Sequence, residues 1–265
     1  MYVVAVMRWG PPLQEELPAL AARLGMVAYD LRLRLTGGLP VVFARVADGV
    51  EAAGHVEFLR ARGHGAVSCD ADAVPGPGDQ LVPVDFEPTA TALHGMSTGG
   101  RRFELPYTEI LAMVHVACVT SAEHTVTTQE KKFAPGRAVL SGGMVLRKKV
   151  DRVDKTVTQE QEQMIYMFCG SHPALCVWKE LTLRYEGLGD QRQLTAAQNF
   201  ATLSKRLRTL APHAFHDQRL LTHKRRADIS VFAGGARERR LETSNAREND
   251  LAAFLLVRGY LEGQL

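Results

Sequence analysis

Arg101-Arg-Phe-Glu-Leu-Pro-Tyr-Thr-Glu-Ile-Leu-Ala-Met-Val-His-Val-Ala-Cys-Val119 is the stretch that decides how this 265-residue chain is read. It predicts a short strand, a corner at Pro106 and a longer buried strand from Ile110 onward. Working outward, further strands are expected at Leu81 to Phe86, Ala90 to His94, Thr125 to Gln129, Met144 to Val150, Gln161 to Cys169 and Leu175 to Tyr185. In the last of these Leu181, Leu183 and Tyr185 alternate with Thr182 and Arg184, and Cys169-Gly-Ser-His-Pro173 reads as a tight turn, so residues 161–185 predict a long hairpin. A helix follows. Thr195 with Gln198 forms a capping box, Ala196, Phe200, Leu203, Leu207 and Leu210 make one apolar stripe, and Pro212 ends it. Many short strands followed by one amphipathic helix describe a bent sheet or barrel capped by that helix, over residues 81–212.

The run Arg102-Phe-Glu-Leu-Pro-Tyr-Thr-Glu-Ile-Leu-Ala-Met-Val114 resembles the strand and corner of bacterial pleckstrin-homology-like domains. The resemblance covers roughly residues 81–211, and the order of strands then helix suits it. It implies a domain that binds lipid headgroups, peptides or proteins and does not catalyse. The chain departs from that family in a long excursion between about Gln129 and Gln161, and no binding residue carries over.

Upstream, Val74-Pro-Gly-Pro-Gly-Asp-Gln80 marks a boundary, a linker over 74–80. Before it, residues 1–73 predict strand, helix, strand, strand, helix, strand. The helix stripes are Leu13, Leu17, Leu20, Ala21, Leu24 and Val50, Ala53, Val56, Leu59; the Leu31, Leu33, Leu35 alternation with Arg32 and Arg34 reads as a strand. That order is the ferredoxin-like βαββαβ plan. RNA-binding modules of this plan stack bases on aromatics of the central strands, and only Phe43 is present there, which argues against RNA recognition. Downstream of 212, residues 213–265 predict a polar, aperiodic connection from His216 to Thr243. A last helix then opens at Asn245 and Glu248, with Leu251, Phe254, Leu255 and Leu261 on one apolar side. The whole is an α+β chain.

No run reaches the ~18 consecutive apolar residues of a membrane span. The first residues lack the pattern of a signal peptide, and Cys69, Cys118, Cys169 and Cys176 do not make a disulfide framework, so a cytoplasmic location is expected. The net charge is only +3, but it is unevenly spread: no lysine precedes Lys131. Lys131, Lys132, Arg147, Lys148, Lys149 and Arg152 concentrate positive charge in residues 131–155, a candidate surface for a partner or for an anionic lipid or nucleic acid. The competing reading is an edge strand or loop kept soluble by lysine. Lys205, Arg206 and Arg208 could extend the patch. Cys169, His172 and Cys176, with His115, Cys118 and His124, are the residues a zinc site would draw on, although buried free cysteine is common. Ser141-Gly-Gly143 and Thr98-Gly-Gly100 read as hairpin turns, because neither has the lysine of a phosphate loop. No nucleophile–base motif appears and no cofactor is implied. The sequence therefore favours a non-enzymatic adaptor or regulator with a protein partner. Its alternatives are an anionic-surface binder and a zinc-dependent protein.

Overall fold

The computed structural model describes residues 1–133, 147–170, 175–222, 228–233 and 238–265, and the side chains of these outside 123–157 and 223–243. The chain is α+β. It divides into one unit of Met1–Cys118, Glu162–Arg226 and Arg247–Leu265, and a second of Val119–Gln161 and Ala227–Ala246. Among the described residues, no helix is long and apolar enough to cross a membrane.

The first unit opens with β1 (Tyr2–Arg8), α1 (Leu13–Leu24), α2 (Ala28–Leu35), β2 (Val41–Val46), α3 (Gly49–Ala61) and β3 (Gly65–Asp70). The sheet is antiparallel in the order β2-β1-β3. Its central strand is covered on both sides, which is why Val3-Val-Ala-Val-Met7 is an unbroken apolar run. Val4 and Val6 pack with Leu20, Leu31, Phe43 and Leu59. Asp48 caps α3 as its sequence predicts, accepting from the Val50 amide at 3.2 Å.

The strand expected over 27–35 is instead α2, so three strands form here in a βααβαβ order and the four-stranded ferredoxin-like plan is not made. Side-chain exposure shows why. Leu31 and Leu35, four apart, are buried, whereas Leu33 between them is 58 % exposed. A strand would have turned all three to one face; a helix separates them. Leucine and arginine are also good helix formers, and past Val27 the segment holds no β-branched residue.

Beyond residues 74–80, β4 (Pro83–Pro88), β5 (Ala92–Ser97) and β6 (Arg102–Pro106) form an antiparallel meander. The corner predicted at Pro106 is a single 3-10 turn, Tyr107–Glu109, and the Tyr107 hydroxyl donates to the Thr89 carbonyl at 3.1 Å. β7 (Ile110–Phe133), β8 (Arg147–Cys169) and β9 (Leu175–Lys179) follow as neighbours in a second sheet, and α4 (Ala196–Leu210) comes after. Trp178 on β9 is fully buried, with Phe86 and Phe103 edge-on to its ring. Ile110, Met113, Ile165 and the α4 residues Phe200, Leu203 and Leu207 join the same core. The sheets are open, and no barrel closes among the described residues. β9 also ends earlier than the alternation to Tyr185 predicts. The chain turns at Glu180, and Leu183 and Tyr185 are buried from the turn, with the Tyr185 hydroxyl donating to the Glu180 carbonyl at 2.7 Å.

Among the described residues of 216–243, strands stand where polarity predicts an irregular connection. β10 (Phe215–Leu220) lies parallel to β7, with Phe215 opposite Ala112. Arg219 donates to the Asp217 carboxylate at 2.7 Å, which lets Asp217 be buried. β11 (Asp228–Ala233) and β12 (Glu238–Ser244) belong to the second unit, where β12 pairs antiparallel with the outer part of β7, Ser244 opposite Thr120.

The closing helix, α5 (Ala246–Leu261), is buried well beyond the single apolar side expected of it. Leu251, Ala252, Ala253, Leu255, Leu256 and Val257 are all buried, and so are Asn249 and Asp250. A helix enclosed this way is an internal element of its fold. Asp250 accepts from the Tyr166 hydroxyl at 2.6 Å, and Asn249 donates to the Ala117 carbonyl at 3.2 Å. Arg45 of β2 donates to Glu248 at 2.9 Å, and Gly259 comes so close to Met7 that an added Cβ would press on the Met7 side chain. At the chain's end the Gln264 carbonyl occupies the space a Cβ on Gly65 would need, so glycine there is a packing requirement.

Candidate anion-binding site

On α4 the buried stripe is Phe200, Leu203 and Leu207. The helix is set by its cap: the Thr195 hydroxyl accepts from the Gln198 amide at 3.2 Å and donates to the Gln198 side chain at 3.1 Å. With that stripe inward, the row beside it carries Ser204 and Arg208, four apart, and the next row Lys205 and Thr209. These two rows form one wall of a recess of about 490 Å³, completed by His115 of β7, Gln163 of β8 and Gln218 of β10.

The floor is polar. His115 is 5 % exposed, and its Nε2 is 3.3 Å from the Ser204 hydroxyl. Burial pushes the His115 imidazole down to about 4; the charges of His216 and Arg208 act in the same direction and Asp217 opposes them. His115 is therefore neutral at pH 7 and offers a hydrogen bond, not a charge. The charge comes from the rim, where Lys205 and Arg208 are exposed. No carboxylate lines the recess, and neither cation makes an ion pair among the described residues. Two like charges one helical turn apart repel, and a bound anion would relieve that repulsion.

Nucleophilic catalysis by Ser204 lacks one requirement. Ser204 sits in the middle of α4, where neighbouring backbone amides are spent on the helix and cannot serve a developing oxyanion.

Lys205 and Arg208 share the recess, but Arg206 turns to another side and donates to the Gly187 carbonyl at 3.2 Å. Lys131 and Lys132 lie on β7, and Arg147, Lys148, Lys149 and Arg152 on β8; their side chains are outside the described residues. Of the zinc candidates, Cys169 ends β8 and Cys176 lies on β9, while His172 and His124 have no described side chain. Both thiols are buried. Burial pushes Cys169 up to about 12 and Cys176 well above its ordinary value, which disfavours the thiolates zinc needs. Among the described residues, no group of three or more His, Cys, Asp or Glu could hold a metal ion. The meeting of His115 with Ser204 was not visible in the sequence, where they stand 89 residues apart. Compared with known protein families, curated proteins and solved structures, the chain matches none.

Proposed function

We propose that the chain is a non-catalytic binding and regulatory protein, and that its ligand carries a compact phosphate-type anion held in the recess beside α4. The observation that carries this reading is the pair Lys205 and Arg208, set one turn apart over a recess with polar donors and no carboxylate. Ser204, Gln163 and Gln218 supply neutral hydrogen-bonding groups around the two charges, while the Thr209 hydroxyl donates to the Lys205 carbonyl at 3.2 Å. Anion binding, weighed from the sequence for residues 131–155, is thereby assigned to α4. The resemblance to pleckstrin-homology-like domains supports the same use, since headgroup binding is one of the functions it implies.

The test is a titration of the isotopically labelled full chain with sodium pyrophosphate, followed by backbone amide shifts. The reading predicts saturable shifts at residues 204–209, His115 and Gln218. Shifts confined to residues 131–133 and 147–152 would return the site to the basic strands, and no saturable shift anywhere would refute anion binding.

A further inference from the structure

A second cleft, sharing no residue with the first, has the opposite chemistry. Leu111, Phe168, Leu175, Phe254, Val257 and Leu261 line about 320 Å³ of space beside α5. This falls within the ~300–1,000 Å³ usual for small-molecule sites, which are apolar with a few placed polar groups. Leu111 is 42 % and Leu261 64 % exposed, so apolar surface at the mouth is left in water. Cys169 also lines the cleft, and its neutral thiol adds to the apolar wall.

One charged residue borders the cleft, Arg258. Arg258 donates to Glu262 at 2.7 Å, and Arg60 donates to the other oxygen of the same carboxylate. Burial works against the charged carboxylate, yet these two hydrogen bonds hold Glu262 below its ordinary range, so it stays ionised. Two guanidinium groups, those of Arg258 and Arg60, share one carboxylate, and Arg258 borders the apolar cleft. That combination selects a ligand with an aliphatic body and an anionic head.

We propose that this cleft binds a single-chain anionic amphiphile, with its alkyl chain among Phe168, Phe254 and Val257 and its carboxylate at Arg258. At ~30 Å³ per water-sized unit the volume corresponds to roughly ten such units, and a methylene is of similar size, so a medium-length chain fits. Each buried methylene contributes about 0.8 kcal/mol.

The experiment is calorimetric titration of the full chain with decanoate, below its micelle concentration, with decanol and decyltrimethylammonium alongside. Sedimentation of the unliganded chain accompanies it. The proposal predicts saturable one-to-one binding of decanoate and weaker binding of decanol and of the cation. In Arg258→Gln, decanoate affinity falls about tenfold and its advantage over decanol disappears. Val257→Trp fills the cleft and abolishes binding. Should that variant misfold by circular dichroism, Leu261→Glu at an exposed position gives the same readout. Non-saturable uptake of all three probes, or decanoate binding unchanged in Leu261→Glu, would overturn the proposal. A dimer in the unliganded chain that Leu261→Glu dissociates would also overturn it, by making the cleft an interface between copies.

Discussion

The two helices that follow the strands, α4 and α5, are of similar length and are used in opposite ways. α4 buries one stripe and leaves Lys205, Arg208 and Thr209 in water. α5 is enclosed so fully that even Asn249 and Asp250 are buried and must find internal partners. A half-buried helix keeps a face free for chemistry, because a substitution there does not disturb packing. A helix buried all round has little such face, and its polar groups answer to the fold. The difference locates the candidate anion site on α4 and assigns α5 chiefly to structure, with its partly exposed end at Arg258 and Leu261 as the exception.

The contrast can be broken most visibly in α5. Leu256 is fully buried, and Leu256→Ala is expected to cost about 2–5 kcal/mol in urea unfolding. A cost under ~1 kcal/mol would mean that α5 is not an internal element of the fold. The next effect belongs to the Tyr166–Asp250 pair. Tyr166→Phe removes the 2.6 Å donor to a buried carboxyl and is expected to cost about 1–3 kcal/mol by the same assay. Burial already holds the Asp250 carboxyl above its ordinary value, the direction expected of a group that can ill spare a donor.

His115 sharpens the other side of the comparison. Its imidazole moves from an ordinary 6.5 to about 4 on folding. Between those values the unfolded chain binds the extra proton, so the contribution of His115 to stability is complete above pH 6.5 and is lost as pH falls toward 4. Between pH 7 and pH 5 the chain should lose about 2 kcal/mol more than His115→Gln does, read from urea unfolding at both values. Equal losses would place His115 in water. The smallest stability effect is expected where function is expected. Lys205→Glu with Arg208→Glu should shift unfolding by no more than about 0.5 kcal/mol, since both residues are exposed.

α4, α2 and β10 differ in how much of their structure is legible in the sequence. The cap and stripe of α4 agree with its structure because period and punctuation are both local signals. The α2 segment reads equally as a strand because an alternation of leucine with arginine fits two periods, and only the exposure of Leu33 decides between them. β10 leaves no local signal because it is stabilised by its pairing with β7, far earlier in the chain, and by an Asp217–Arg219 contact that hides the polarity. The recess is half legible. Lys205 and Arg208 are visible as a helix face, but the placing of His115 beneath them is a product of tertiary structure.

Calorimetric titration of sodium pyrophosphate into the chain and into Lys205→Glu, Arg208→Glu tests the central claim most directly. The account predicts saturable binding that falls by at least about tenfold in the charge-reversed chain, with its unfolding transition unchanged. Equal heats and equal affinities in the two proteins would contradict it.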